Sequence, residues 1–399
     1  MPFRGVSLMD QRAAFVAAAR MEGANLRSLC RAYGISRTTG YKWLSRAAGG
    51  DEALADRPRR PHRSPRRTAA VVEAVVAEAR RAHPSWGGRK LHHFLRREGF
   101  VAVPQPSTVT GILHRHGLID PAVSRQHRPY RRFEHDAPNR LWQMDYKGHF
   151  AVGQRRCHPL TVVDDHSRYA VVVGAFWDER RETVMAALTA AFRDYGLPER
   201  MLSDNGPPWG TDGEHRHTRL TAWLMRLDIG PLHGRPFHPQ TQGKNERFNR
   251  TLKAEVLAGR RFEALAAVQA AFDDWRGLYN DRRPHEALGH VPPAERFRPS
   301  ERPFPERLPA IEYPAGLAVR RVQVDGRIGF AGRTWFISGA FGGQPVALRP
   351  AGRDGLFDVL FCRFRVAQID LVQRRVRRPR GGGPQGRPGQ HRDAGEVGF

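Results

Sequence analysis

Cysteine is nearly absent from this chain. Three in 399 residues, Cys30, Cys157 and Cys362, stand too far apart to form a zinc-ligand set by themselves, and they exclude a disulfide scaffold. A reduced, cytoplasmic chain is expected. Long apolar runs are missing as well: no stretch approaches the roughly 18 consecutive residues of a membrane span. Charge interrupts Val6-Ser7-Leu8-Met9-Asp10 at once, so no signal peptide is expected. Acid is in short supply, with 40 Asp and Glu against 66 Lys and Arg, a net charge of +26 and a pI near 11.3. Lysine is scarcer still, only five of those cations. A GC-rich coding sequence would produce that skew, so the surplus of charge, and not the preference for arginine, is the informative quantity. Such a surplus calls for a polyanionic partner, and nucleic acid is the default. Apolar residues at 40% and a mean hydropathy of −0.58 allow a core and exclude a chain disordered throughout.

The length suggests several domains. Residues 1–50 read as three short helices, and 51–67 form a basic Arg/Pro linker that cannot be helical around Pro58, Pro61 and Pro65. Residues 68–120 are helical again, and 121–138 form a second basic linker. Within 139–300, β-branched apolar runs alternate with amphipathic helices. A small β-rich, SH3-like domain is expected over 301–372, and a disordered basic Gly/Pro tail over 373–399. The fold class is therefore multidomain α/β: a mixed-sheet core, tandem all-α modules before it and a small β-rich domain after it.

The first helical block has a helix-turn-helix pattern. Leu26, Leu29 and Cys30 give one helix an apolar face, Gly34 makes the turn, and Ser36 can cap the next helix. That places Arg37, Thr38, Thr39 and Lys42 outward, suited to a major groove, with Trp43 and Leu44 inward. The second block repeats the logic. Val72, Val75, Val76 and Ala79 form a stripe, and Trp86-Gly87-Gly88-Arg89-Lys90 opens a helix. Pro106-Ser107-Thr108 caps another, with His114, Arg115 and His116 outward.

Candidate chemistry lies in the third block. Leu141–Lys147 reads as a strand with Asp145 on the face of Gln143 and Lys147. Thr161–Asp165 and Tyr169–Val173 are strands joined by a turn, and 180–195 is an amphipathic helix. Arg200-Met201-Leu202-Ser203-Asp204 is a short strand ending in a carboxylate. His238–Lys244 is a loop into a helix that begins near Asn245 and carries Glu246. Asp145, Asp204 and Glu246 thus each stand where a strand ends or a helix begins. Carboxylates converging there repel and need cations between them; oxygen ligands suit Mg²⁺ or Mn²⁺, two ions per site for in-line displacement at a phosphodiester. On the same helix Arg250 and Lys253 accompany Lys244 and Arg247 as phosphate contacts, and Asn249 is placed with Glu246 on the outward side. Phe248, Leu252 and Val256 form the buried side.

The motifs Trp142-Gln143-Met144-Asp145, Val162–Arg168, Ser203-Asp204-Asn205-Gly206, His238–Phe248, Tyr279-Asn280 and Arg283-Pro284-His285 resemble those of the DDE transposases of bacterial insertion sequences, which have a retroviral-integrase-type core. The resemblance covers about residues 139–300. It implies an RNase H-like fold and metal ligation by Asp145, Asp204 and Glu246. It also implies cleavage at the ends of a mobile DNA element, with transfer of 3′-hydroxyl strands into target DNA. Double-stranded DNA, both ends and target, would be the partner, and a homo-oligomer on paired ends the active form, associated with the bacterial nucleoid.

Two departures stand out. The 41 residues between Asp204 and Glu246 exceed the usual spacing, with the surplus placed in a polar loop at Gly210–His217. Helix-turn-helix modules occupy the place of the His-His-Cys-Cys zinc module of retroviral integrases. Asp164-Asp165 imitates a catalytic dyad but reads better as a hairpin turn with capping carboxylates. Two other functions fit the same elements: a DNA-binding regulator on a silent transposase core, and an RNase H-like nuclease. The intact carboxylate triad disfavours the first, and the amino-terminal modules disfavour the second.

Overall fold

The computed structural model describes residues 7–56, 67–119, 134–204, 206–210, 217–233 and 243–377. Residues 57–66 and 120–133, most of the two basic linkers, His238, most of the polar loop near 210–217 and the end of the tail lie outside them. The first linker begins later than expected, because Asp51–Leu54 is a 3-10 turn whose Leu54 is buried in the first module. The chain divides into two compact units, Met1–Arg67 and Thr68–Phe399.

The first unit is a three-helix module of α1 (Leu8–Ala19), α2 (Leu26–Ala32) and α3 (Arg37–Ala47). Asn25 caps α2, and Ser36 caps α3 by accepting from the Thr39 amide at 3.1 Å. Gly34 makes the turn with φ +64°, a left-handed backbone that glycine adopts without a Cβ penalty. Phe15, Val16, Cys30, Trp43, Ala47 and Leu54 close the core. Gly40 lets α3 approach α2, since a Cβ there would stand 2.6 Å from the Cys30 sulfur.

The second unit opens with α4 (Ala70–Ala82), α5 (Gly88–Arg97) and α6 (Pro106–Arg115) around Val76, Trp86, Leu91, Val109, Ile112 and Leu113. Two expectations are corrected here. No side chain caps α6; Gln105 precedes it and Pro106 takes the first position, where a missing N–H costs nothing. Arg115 and His116 are exposed yet not unengaged, because both hold the buried Glu73 carboxylate, at 2.6 and 3.2 Å.

Next comes the mixed sheet. β1 (Trp142–Tyr146) lies between antiparallel β3 (Arg155–Asp164) and parallel β5 (Arg200–Ser203). β6 (Gly230–His233) pairs parallel to β5, while β2 (Phe150–Val152) and β4 (Ala170–Phe176) pair antiparallel to β3. Because side chains alternate across a strand, Trp142, Met144, Leu160 and Val162 face α7 (Arg181–Tyr195) and α8 (Arg219–Arg226). Val163 and Val173 face α9 (Gly243–Leu252) and α10 (Leu265–Gly277). The edge of β4 is covered by one stripe of side chains. Gln269 accepts from Ala175 N and donates to Val173 O, Arg276 donates to Val171 O, and Asn280 accepts from Ala170 N and donates to Ala170 O. Spacings of seven and four residues put all three on one side of α10 and its continuation. Strands β2 and β6 and helix α8 were not foreseen.

Residues 300–304 run beside the end of α7, with Ser300 N donating to Tyr195 O and Leu197 N to Arg302 O, both at 2.7 Å. The carboxy-terminal region is β-rich, as expected. β7 (Ala318–Arg321), β10 (Pro345–Pro350), β11 (Leu356–Phe361), β12 (Phe364–Asp370) and β13 (Arg375–Arg377) form one sheet, and β8 (Arg327–Phe330) pairs with β9 (Arg333–Phe336). Ala222 and Met225 of α8 complete its core. Residues 375–377, expected in a disordered tail, are a strand instead. Buried Asp370 draws the chain back by accepting from Gln373 N and from Arg377. Among the described residues no helix is long and apolar enough to cross a membrane.

Candidate active site

The register of the two parallel strands sets the carboxylates. Trp142 pairs with Met201 and Gln143 with Leu202; continued two residues further, Asp145 comes level with Asp204. Each carboxylate stands at the carboxyl end of its strand, where open α/β sheets place their ligands. Glu246 lies in the first turn of α9, exposed, while Phe248 and Leu252 anchor the helix in the core.

These groups act on one another. Burial first, then the charge of Asp204 and more weakly that of Glu246, pushes the Asp145 carboxyl up to about 6. Burial also raises that of Asp204, whose Oδ1 accepts from Gly206 N at 3.2 Å. Among the described residues no three His, Cys, Asp or Glu side chains stand close enough to hold an ion as they are.

One residue beside Asp145 was assigned to the wrong side of α9. Asn249 is buried, and its Nδ2 donates to Asp145 Oδ2 at 2.9 Å. The Thr161 hydroxyl lies 3.1 Å from both Asn249 Oδ1 and Asp145 O, so its one proton is shared between them. The sequence carried a signal for this: Asn245, Phe248, Asn249, Leu252 and Val256 repeat at helical spacing, a buried stripe containing two amides.

Asp164 and Asp165 serve as scaffold. Asp164 accepts from Ser167 N, Ser167 Oγ and Asn139 N at 2.6–2.8 Å, closing the turn after β3. Asp165, 2% exposed, accepts from Gln143 Nε2 at 2.7 Å and pairs with Lys244 Nζ at 2.5 Å. Lys244, expected on phosphate, thus has a carboxylate of its own. Arg247, Arg250 and Lys253 are exposed. The Tyr279–His285 motif is structural as well. Tyr279 packs edge-on to Phe248 at 5.0 Å, Asn280 brackets Ala170, and Arg283 reaches Glu255 at 2.9 Å.

In the first module Arg37, Thr38 and Lys42 are exposed on α3. Thr39 is half-buried and its hydroxyl lies 2.9 Å from that of Ser36, which withdraws it from the outward set. Tyr41, 63% exposed on the same face, takes that place. Sequence reasoning passed over it, although Arg37, Tyr41 and Ser45 follow at intervals of four.

The mixed sheet with its acidic edge defines an integrase-type core. Models of the integrase core domain match residues 135–239 and 227–293. A helix-turn-helix domain matches 11–62 and a homeodomain-like domain 39–113. The IS481 family transposase C-terminal domain matches 317–377. These regions are similar to the integrase core and carboxy-terminal domains of transposases of bacterial insertion sequences. The chain is 28% identical over 232 residues to an uncharacterized 39.2 kDa protein of insertion element IS476 from Xanthomonas euvesicatoria, covering 56% of this chain and 64% of that one. It is 29% identical over 231 residues to a 31.7 kDa protein of IS407 from Burkholderia multivorans, covering 56% and 80%. Against a putative transposase of IS5376 from Geobacillus stearothermophilus it is 26% identical over 191 residues, covering 46% and 45%. The match thus spans under two thirds of the first relative's length.

Proposed function

We propose that the protein binds the ends of a mobile DNA element, cuts phosphodiester bonds there and joins the 3′-hydroxyl strands to target DNA, working in the bacterial cytoplasm as a homo-oligomer on paired ends. The observation that carries this reading is the register of the two parallel strands, which brings Asp145 level with Asp204 at one sheet edge, with Glu246 in the first turn of α9. Carboxylate oxygen donors of this kind fit a hard divalent cation such as Mg²⁺ or Mn²⁺ better than zinc. Asp145, Asp204 and Glu246 would hold two such ions, which when bound activate the attacking oxygen and stabilise the departing one. The chain's own part is placement. Asn249 and Thr161 orient Asp145, the turn at Gly206 orients Asp204, and α9 brings in Glu246. Outward cations of α9 grip phosphates, and α3 reads base edges.

The test compares wild type with Asp204→Asn in end-binding and strand-transfer assays. End binding is expected to persist or tighten, because a carboxylate charge beside phosphate is removed, while cleavage and joining fall to background. A wild type that binds ends but never joins them, and matches the variant, would be a regulator on a transposase fold.

A further inference from the structure

The turn that ends the catalytic helix is fastened to the second helix-turn-helix module. After Leu252 the helix widens into a π turn, Lys253–Leu257, a rare form that often marks functional positions. Within it Glu255 points inward, its side chain 9% exposed. Its Oε1 accepts from Ser85 Oγ at 2.8 Å and Trp86 Nε1 at 3.2 Å, both in the second module, and from Arg283 Nη2 at 2.9 Å. Its Oε2 accepts from Trp275 Nε1 at 2.9 Å. Burial works to raise the carboxyl's pKa, but Arg283, Trp275 and Ser85 together bring it below the ordinary glutamate value, so it is an anion at neutral pH.

Trp86 is no loose anchor. It is 1% exposed at the centre of the module, stacked on His83 at 3.9 Å and edge-on to Phe94 at 5.2 Å. Around this joint Arg89 pairs with Glu286, Arg97 with Glu295 and Arg282 with Glu98, and His93 stacks on His290 at 4.2 Å. The ion pairs lie at the surface and set orientation more than strength. The buried joint is the Glu255 carboxylate, nine residues beyond Glu246 on one continuous helical run.

We propose that Glu255 is a positioning residue through which the seating of the second module on DNA sets the catalytic helix and its Glu246. This rests on the reading that Asp145, Asp204 and Glu246 carry out strand transfer. The test is a Ser85→Ala/Trp86→Phe double variant, which removes both module-side donors and leaves the Arg283–Glu255 pair intact. Single-turnover joining of pre-cut ends, end-binding affinity and thermal melting are measured on the full chain. The joining rate constant is expected to fall on the order of tenfold with end binding changed less than about twofold, and Ser85→Thr should keep the wild-type rate. A merely structural role would lower the active fraction and leave the rate constant alone. An unchanged rate constant, or binding reduced in proportion to joining, overturns the coupling. If the double variant does not melt cooperatively, Ser85→Ala alone decides, since Ser85 is exposed; its rate should fall about threefold. Failure of wild type to join ends under the same conditions would instead overturn the functional reading.

Discussion

Asp145 depends on an amide. A carboxylate raised toward neutrality by burial and like charges is held in one rotamer by Asn249, itself oriented by Thr161. A hydrogen bond to a charged group contributes about 1.5–3 kcal/mol. Asn249→Ala should therefore slow joining by roughly 10- to 100-fold while end binding stays near wild type. Asn249→Asp should be worse than alanine, because it adds a further anion to carboxylates that already repel. Joining rates of the two variants, measured side by side, check the order; an alanine variant slower than the aspartate would mean that packing, not charge, dominates. The positions of Asp145 and Asp204 at strand ends and of Glu246 at a helix start were legible because each sits within a recognisable motif. Asn249 was not. Counting three residues from Glu246 put it outward, whereas the apolar residues at 248, 252 and 256 pull position 249 under the helix.

At the level of elements, α9 has two faces with separate tasks. One packs on the sheet through Phe248 and Leu252; the other exposes Arg250, and the π turn that follows exposes Lys253. If those cations hold phosphates, Arg250→Ala and Lys253→Ala should each flatten the salt dependence of DNA binding by up to about one unit of log–log slope. Titrations at several salt concentrations measure this, and an unchanged slope would assign the face to solvent. The strands around the carboxylates were readable from β-branched runs. β6, Gly230–His233, was not, because Gly-Pro-Leu-His lacks both alternation and β-branching; only its partner β5 makes it a strand. β13 was hidden for a similar reason: its residues read as tail until Asp370 supplies Arg377 with a counter-charge.

Over the whole molecule a net charge of +26 provides attraction to DNA without selectivity, since phosphate contacts position while base contacts specify. Selectivity should therefore fall on α3. An Arg37→Ala/Lys42→Ala double variant should bind the cognate end more weakly by about 1–3 kcal/mol for each base that is no longer read, with a smaller penalty on random DNA. Tyr41→Ala should do the same to a lesser degree. Competition binding between the two DNAs measures the ratio; equal penalties on both would assign α3 to the backbone.

The attachment of α4–α6 to the core has a metric consequence. If the protein cuts DNA as proposed, a second module fixed to the core would make it a ruler: the cut would fall at a set distance from wherever that module rests, whatever the intervening bases. One base pair inserted between that resting place and the cleavage point moves the target by about 3.4 Å and turns it by about 35° around the duplex axis. Ends carrying such an insertion should still be bound, yet be cut one base pair away from the natural junction or not at all.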